Sequence, residues 1–190
     1  MGKWFLKLIP KKINNILWGY NQFREAKLLS YSQSGEDAIL YNFFSQKISK
    51  RLPGFFIDIG AFHPVNISNT YMFHKLGWRG INIDARPGSM EIFNKIRPDD
   101  INLELAISNK KAILNYFEIN NHPEMNGFSE DFINKMELNN EIIKKSPIET
   151  FRLDEVLLKY LPKNTIIDFL SLDVEGMELE VLQSNNWDIF

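Results

Sequence analysis

Short apolar runs separated by more polar stretches characterise the chain from residue 54 onward. Four of these runs are predicted strands, at 55–59, 80–84, 103–107 and 165–174. Helical segments are expected between them, and strands that alternate with helices are typical of βαβ units. The pattern therefore predicts an α/β fold, a doubly wound and mostly parallel sheet with helices on both faces.

A helix is predicted ahead of the first strand, from Ser34 to about Ile48. The Ser34 hydroxyl can cap free backbone N–H groups, and Asp37 follows three residues later, as in a capping box. Apolar residues four apart form one face of this helix, namely Ile39 with Phe43 and Leu40 with Phe44.

The region between the third and fourth runs is less regular. The stretch from Ala112 to Ile119 is predicted to be an additional strand, a hairpin partner of the run before it. Residues 120–146 are polar and rich in asparagine, with a short helix predicted around 131–138. Such a long insertion is typically a lid, a binding loop or a partly disordered segment.

The last apolar run, Thr165 to Val174, has the composition of a strand that is covered on both faces and flanked on both edges. Only one predicted helix, 176–184, and the tail 185–190 come after it. A doubly wound sheet would bring another parallel strand beside it, and an exposed apolar edge favours aggregation. We therefore expect the domain at 31–190 to lack its C-terminal strands in this chain.

The first thirty residues form a basic amphipathic arm in this interpretation. Six lysines and arginines alternate there with apolar residues, and Glu25 is the one acid. Such an arm can contact an anionic membrane surface weakly, although packing on the domain or on a second subunit is the favoured interpretation. The chain has no signal peptide or membrane-spanning pattern, which predicts a cytoplasmic location.

Composition narrows the functional classes. The 190 residues, 44% of them hydrophobic, suit one globular domain. The absence of cysteine excludes a disulfide framework, a thiolate zinc site and a cysteine nucleophile. A formal charge of −2 provides no general attraction for a nucleic-acid backbone, so no nucleic-acid partner is expected.

Two acids mark the ends of the first two predicted strands. Asp58-Ile59-Gly60 leads from the first strand into a loop, and the glycine lets a ligand approach the backbone closely. Asp84 ends the second strand, where an acid can accept hydrogen bonds from ribose hydroxyls. The pair predicts a ligand that contains adenosine.

The loop after the first predicted strand distinguishes between the candidate ligands that contain adenosine. A dinucleotide site requires a G-x-G-x-x-G loop for its pyrophosphate, and here one glycine is followed by Ala61, Phe62 and His63. A single glycine suits S-adenosylmethionine, which carries no phosphate. A nicotinamide-dependent oxidoreductase remains as a disfavoured alternative.

Three residues are candidates for the chemical step. Asp173 and Glu175 follow the last predicted strand, at the carboxyl edge where open α/β sheets bind ligands. Asp173 is a candidate base or a ligand for an amino group, and Glu175 is either a base or an acid that favours the N-terminus of the next helix. His63 is a further candidate base with a suitable pKa. No residue spacing requires a metal ion.

Seven segments, in this order, resemble the FkbM family of methyltransferases between about Tyr31 and Trp187. They are Tyr31-Ser-Gln-Ser-Gly-Glu-Asp37, Phe56-Ile-Asp-Ile-Gly-Ala-Phe-His-Pro64, Ser68-Asn-Thr70, Gly77-Trp-Arg-Gly-Ile-Asn-Ile-Asp84, Leu105-Ala-Ile-Ser108, Leu153-Asp-Glu-Val-Leu157 and Leu172-Asp-Val-Glu-Gly-Met-Glu178. The resemblance implies a Rossmann-like, S-adenosylmethionine-dependent methyltransferase that acts on a hydroxyl of a carbohydrate or small natural product.

The resemblance also implies roles for individual residues. Asp58, Gly60 and Ala61 would shape the cofactor pocket, Asp84 would hold the ribose, Ala106 and Ile107 would flank the adenine, and Gln33, Glu36 and Asp37 would close the site. Two segments depart from the family pattern: His63-Pro64 replaces Asn and a second Gly, and Asp84-Ala-Arg86 replaces Glu-Pro.

A third hypothesis comes from another functional class. The predicted loss of C-terminal strands and the basic arm are also compatible with a catalytically silent fragment or interaction module.

If the chain is a methyltransferase, its acceptor would be bound by the insertion at 120–146 and by the region that the chain is expected to lack.

Overall fold

The computed structural model describes residues 30–190. The predicted basic arm and its membrane contact therefore lie almost entirely outside the described residues. The helices are α1 (Glu36–Phe43), α2 (Ser45–Ser49), α3 (Tyr71–Lys75), α4 (Ser89–Ile96), α5 (Glu130–Lys135), α6 (Leu153–Tyr160) and α7 (Glu178–Gln183). The strands are β1 (Phe55–Ile59), β2 (Arg79–Asp84), β3 (Ile101–Glu104), β4 (Ala106–Ile107), β5 (Ala112–Ile119), β6 (Ile142–Phe151) and β7 (Phe169–Leu172).

The main sheet has the order β3-β2-β1-β7, and every neighbouring pair is parallel. Its central strand, β1, is buried from Phe56 to Ile59, as expected where helices cover both faces. Successive side chains of β1 point to opposite faces of the sheet, so they belong to two separate hydrophobic cores. The predicted α/β class with a mostly parallel sheet is confirmed.

Each face of the sheet has its own hydrophobic cluster. On one face the isoleucines of β1 and β2 pack against residues of α6 and α7, namely Leu153, Val156, Leu157 and Val181. On the other face, Phe56 packs with Phe73 of α3 and Trp78, and Leu40 and Phe44 cover them. Helices therefore lie on both faces, as predicted.

The second sheet was not predicted. It has the order β4-β6-β5, with β4 parallel to β6 and β5 antiparallel to β6 along its whole length. The predicted strand at 103–107 is wrong as a single element, because it divides between the two sheets at Leu105. The predicted hairpin is also wrong, since β5 pairs with β6, which begins at Ile142 near the end of the supposed irregular insertion and continues beyond it. The helix predicted near residue 131 is present as α5.

Two other boundaries differ from expectation. Ser34 does not cap α1: Gly35, at φ 92°, is the N-cap, and the Ser32 hydroxyl accepts from the Gly35 and Asp37 N–H groups. The helix predicted from Ser34 to Ile48 is divided into two helices, α1 and α2. Of the predicted apolar face, Leu40 and Phe44 pack inward, whereas Ile39 and Phe43 are exposed. The fourth apolar run forms strand only at β7.

The strand β7 pairs with β1 along one edge. Within residues 30–190 no strand pairs with its other edge, and the expectation of further C-terminal strands stays a prediction. Among the described residues, no helix has the length and apolar character of a membrane span.

Candidate active site

A cavity opens at the carboxyl ends of β1, β2 and β7, beside β4 and β5 of the second sheet. The space between its walls is about 600 Å³, and part of this space is open to solvent. Its walls include Gly60, Asp84, Ala106, Ile107, Tyr116, Asn126, Phe128, Asp173 and Glu175. This first cavity lies where open parallel sheets bind their ligands.

Asp84 ends β2 and faces the first cavity. Its Oδ2 accepts a hydrogen bond from the Phe62 N–H and its Oδ1 accepts one from the Arg86 N–H, both at 2.8 Å. Each carboxylate oxygen has about two lone-pair sites, so each retains one for a ligand hydroxyl. Burial raises the pKa of Asp84, and the two N–H groups oppose that rise because they stabilise the carboxylate.

The loops after β1 and β2 are clamped together near Asp84. The Arg86 guanidinium donates to the Phe62 carbonyl oxygen at 2.9 Å and lies 5.3 Å from the centre of the Phe62 ring. Both contacts join Phe62 and Arg86, the two residues whose backbone N–H groups donate to Asp84. The carboxylate is therefore held in place before any ligand binds.

Gly60 brings the ends of β1 and β7 into close contact. It has a φ of 78°, and a Cβ at this position would overlap the carbonyl oxygen of Asp173. The Asp173 N–H donates to the Ile59 carbonyl oxygen at 3.0 Å, which fixes this approach. Only glycine satisfies both the left-handed conformation and the missing space.

A second cavity adjoins the first and shares several of its walls. Gly60, Phe62, Glu124, Asp173 and Glu175 line both cavities. The residues that line only the second are Gln33, Asp58, Ala61, Ile67, Asn69, Met125 and Ser171. The shared carboxylates of Asp173 and Glu175 therefore lie between the two spaces.

Asp58 lies in the wall of the second cavity and is almost fully buried. Its Oδ2 accepts a hydrogen bond of 2.6 Å from the Thr70 hydroxyl. Burial raises the pKa of Asp58, and the Thr70 hydroxyl and the Arg97 guanidinium oppose the rise.

Carboxylates gather in the loop after β7. Burial, followed by the neighbouring carboxylates of Asp173, Glu178 and Glu124, raises the pKa of Glu175 to about 7. Asp173 is open to solvent, yet partial desolvation by the cavity walls and the charges of Glu178 and Glu36 raise its pKa as well. Within residues 30–190, no three acid or histidine side chains are grouped as a metal site requires.

Non-glycine residues in the left-handed conformation are found in the cavity walls. Phe62, Ile67 and Glu175 have φ values of 52°, 55° and 52°. The conformation is uncommon outside glycine, and it is a real outlier for the β-branched Ile67. Strain of this kind is typical of functional sites whose surroundings determine the backbone.

Comparison with known proteins found a matching family. A family model described as the methyltransferase FkbM domain matches residues 58–190, which is well over half of the chain. The chain belongs to the FkbM methyltransferase family. No curated protein and no solved structure matches the chain. The resemblance inferred from the seven segments is thus confirmed, although the match starts at Asp58 and leaves out the Tyr31 segment.

The structure brings most of the predicted site residues of this FkbM domain together. Gly60, Asp84, Ala106, Ile107, Asp173 and Glu175 line the first cavity, and Gln33, Asp58 and Ala61 line the second. The three others lie outside both linings. They are His63, Glu36 and Asp37.

Asp37 and Glu36 organise the segment before α1. The buried Asp37 carboxylate accepts from the Ser30 and Ser32 hydroxyls and from the Tyr31 N–H, so it holds the turn together. Glu36 accepts from the Ser34 N–H and is close enough to Asp173 to raise the pKa of that carboxyl. Both residues hold the segment that contributes Gln33 to the wall of the second cavity.

His63 forms a turn. Its Nδ1 accepts from the backbone N–H groups of Val65 and Asn66, at 3.1 and 2.9 Å. The pKa of His63 is lowered by burial and by the nearby Arg86. Because its ring stabilises the loop and lies outside both linings, we do not retain it as a candidate base.

The second sheet supplies a part of the site that was not predicted from the sequence. Tyr116 of β5 is buried in the wall of the first cavity, where burial raises the pKa of its hydroxyl, and its ring contacts Phe128 edge-on at 5.0 Å. Gly127 pairs with Phe117, which ties the 123–128 segment to β5. The only signal in the sequence was an aromatic residue in a predicted strand.

Glu175 makes the stability of the protein depend on pH. A carboxyl whose pKa is raised to about 7 on folding stabilises the folded state below its ordinary pKa of 4.5, and this contribution is lost as the pH rises through 7. Glu175→Gln removes the loss, so we expect the variant to be more stable than the unchanged chain by about 1–2 kcal/mol at pH 8, allowing for solvent screening. The difference should shrink towards pH 5.

Urea unfolding of both proteins at pH 5 and pH 8 measures this difference. Glu155→Gln, on the exposed surface of α6, is the control for removing one negative charge. An equal effect of Glu175→Gln at the two pH values would contradict the assignment of the titration to Glu175.

Proposed function

We propose that this chain is an S-adenosylmethionine-dependent methyltransferase that methylates a hydroxyl group of a carbohydrate or small natural product. The observation that carries the proposal is the pair of adjoining cavities at the carboxyl edge of the sheet. Asp84 lies in one, polar side chains line the other, and the carboxylates of Asp173 and Glu175 lie between them. A donor and an acceptor would meet at this boundary.

The first cavity fits the adenosine part of such a donor. Asp84 keeps two free lone-pair positions for the ribose hydroxyls, while Ala106 and Ile107 provide an apolar wall beside the aromatic ring of Tyr116. Gly60 leaves room for a ligand close to the backbone. When bound, S-adenosylmethionine supplies a methyl group that is activated for transfer to oxygen.

The same loop argues against a dinucleotide. A pyrophosphate binds at the N-terminus of a helix that follows the glycine loop directly. Here the helix after β1, α3, begins only at Tyr71, well beyond Gly60. Backbone N–H groups that would hold a pyrophosphate are therefore not presented at the cavity.

Glu175 is our candidate for the general base, with Asp173 as the carboxylate that binds the amino group of the donor. A base is most effective when its pKa lies near the working pH, and the pKa of Glu175 is raised to about 7. Glu175 lines both cavities, so it can accept the proton of an acceptor hydroxyl placed at their boundary.

The second cavity is suited to an acceptor that carries hydroxyl groups. The side chains of Gln33, Asn69 and Ser171 line it and can donate or accept hydrogen bonds. Carbohydrates present several hydroxyls at fixed spacing, which such a lining can recognise. Methyl transfer to oxygen then depends on alignment and on one proton acceptor.

Calorimetry on the purified chain tests the proposal. S-adenosylmethionine and S-adenosylhomocysteine are titrated separately, with NAD as the control ligand. We expect dissociation constants in the micromolar range for the first two and no binding of NAD. A screen for transfer of a radiolabelled methyl group to monosaccharides would follow, and there Glu175→Gln should lose transfer while keeping donor affinity.

Other results would change the assignment. Binding of NAD alone would support the oxidoreductase alternative. No binding by a sample with a normal circular dichroism spectrum would overturn the proposed cofactor and favour the interaction module.

A further inference from the structure

A line of buried polar contacts leads from the wall of the second cavity into the interior. The Thr70 hydroxyl contacts Asp58 at 2.6 Å, the Arg97 Nη1 contacts the Thr70 hydroxyl oxygen at 3.0 Å, and the Arg97 Nε contacts Asp100 at 2.8 Å. The side chains of Arg97 and Asp100 are completely buried, and Thr70 is 0% exposed. Neither Thr70 nor Arg97 lines either cavity.

The order of donors in this line follows from the groups that it joins. A guanidinium has five N–H donors and no acceptor, so the Thr70 oxygen must accept from Arg97. The single hydrogen of the Thr70 hydroxyl then has two neighbours, the Asp58 carboxylate at 2.6 Å and the Ser68 hydroxyl at 3.5 Å. An ionised Asp58 is the nearer and stronger acceptor, so Arg97 directs the Thr70 hydroxyl towards Asp58 when Asp58 is ionised.

The charge of Arg97 is itself held in place. Its guanidinium lies 5.2 Å from the ring centre of Phe56 and 5.7 Å from that of Phe93, and Asp100 forms its ion pair. A buried arginine is costly unless it is paired. Here Nε is paired with Asp100 and Nη1 with Thr70, whereas Nη2 has no hydrogen-bond partner among the described residues. The positive charge therefore acts on Asp58 from a fixed place.

Several groups face Asp58 from the elements packed around it. Thr70 and Arg97 favour its ionised form, as does the Ser171 hydroxyl from β7. Burial and the carboxylate of Asp84 on β2 oppose it. Without the contacts from Thr70 and Arg97, burial would leave Asp58 protonated over a wider pH range.

We propose that Thr70 and Arg97 are positioning residues that hold Asp58 as an oriented carboxylate in the wall of the second cavity, where it attracts the positively charged end of a donor that extends from the first cavity past Asp173 at the shared boundary. The proposal rests on the proposed function, because S-adenosylmethionine carries a sulfonium and an ammonium group. A neutral ligand would gain little from such a carboxylate.

Thr70→Val tests the proposal, because valine has nearly the shape of threonine and lacks the hydroxyl. Thr70→Ser restores the hydroxyl. Thr150→Val is the matched control, since Thr150 is also fully buried and its hydroxyl contacts only the Lys110 and Ala112 backbone in the second sheet. If Thr70→Val does not fold, Thr70→Ala, which leaves space for water, takes its place.

Two measurements separate positioning from stability. Carbon-13 NMR of labelled aspartate carboxyls, assigned with Asp58→Asn, follows the titration of Asp58 without any ligand. Calorimetry measures the affinity for S-adenosylmethionine at pH 7. For Thr70→Val we expect the Asp58 midpoint to move up by about one pH unit and the affinity to fall about tenfold. Thr70→Ser should restore both, and Thr150→Val should change neither.

The outcomes are distinct. An Asp58 midpoint that does not move in Thr70→Val overturns the inference, whether or not the chain binds the donor. A shifted midpoint with unchanged affinity also overturns it, since Asp58 would then have no part in binding. If the unchanged chain does not bind S-adenosylmethionine but the midpoint moves, the proposed function fails while the orientation of Asp58 by Thr70 stands.

Discussion

Replacing Asp84 with asparagine is expected to weaken the binding of S-adenosylmethionine by about 100-fold. The two oxygens of Asp84 each accept one backbone hydrogen bond, from Phe62 and from Arg86, and each keeps a lone pair for a ribose hydroxyl. In asparagine an NH₂ group takes the place of one carboxylate oxygen, so a donor faces one of the two backbone N–H groups. The change removes one acceptor for the ligand. It also removes the negative charge that strengthens the hydrogen bond from the ligand to the remaining oxygen.

Calorimetry with S-adenosylmethionine and S-adenosylhomocysteine measures this effect. Glu104→Gln is the matched control, because Glu104 lies beside Asp84 in the register of β2 and β3, accepts from the Gly88 N–H and lines neither cavity. The control should bind like the unchanged chain. An Asp84→Asn protein that binds within fivefold of the unchanged chain would exclude Asp84 as the ribose ligand.

Asparagine is a sharper test at this position than alanine. Asp84→Ala would leave both N–H groups, of Phe62 and of Arg86, without acceptors in a partly buried loop, whereas asparagine keeps an acceptor for one of them. An unpaired buried N–H costs about 1–3 kcal/mol, so the loop would rearrange. A loss of binding in the alanine variant would then reflect the loop as much as the missing carboxylate.

Replacing Gly60 with alanine is expected to lower the free energy of unfolding by about 3 kcal/mol or more and to abolish donor binding. The new Cβ would overlap the Asp173 carbonyl oxygen, and the backbone cannot retreat while the Asp173 N–H is bonded to Ile59. Alanine is also unfavourable at a φ of 78°. Both effects displace the ends of β1 and β7, where the cavities meet.

Gly77→Ala separates the two causes. Gly77 has a φ of 90°, and a Cβ there would meet no atom within 4 Å. It therefore carries the conformational penalty alone, about 1 kcal/mol. Urea unfolding of both variants measures the difference that is due to the overlap, and calorimetry measures donor binding. A Gly60→Ala protein as stable as Gly77→Ala would contradict the close contact between Gly60 and Asp173.

The two inner strands of the main sheet, β1 and β2, were predictable because they are buried along almost their whole length. The predicted bounds 55–59 and 80–84 agree with β1 and β2 to within one residue, and Ala112–Ile119 agrees with β5. Continuous apolar runs of this length are a local signal. The acids at the strand ends, Asp58 and Asp84, could be placed at one edge for the same reason, since parallel strands end together.

The second sheet was not predictable from local pattern. The strand β6 exposes many of its residues and contains Lys144, Lys145 and Pro147, so its apolar alternation is weak. It forms because β5 pairs with it along its length, a contact between residues far apart in the chain. The predicted strand at 103–107 divides at Leu105 because β4 pairs with β6 in the second sheet, whereas β3 pairs with β2 in the main sheet.

The sequence by itself determined the α/β class, the mostly parallel main sheet and the membership of the FkbM family, because the pattern of apolar residues and the order of motifs can be read directly along the chain. Only the tertiary structure decided that Tyr116 and Phe128 line the first cavity, that His63 serves a turn, and that Arg97 reaches Asp58 through Thr70. These facts depend on the positions of side chains from distant segments, and the packing of the whole chain sets those positions.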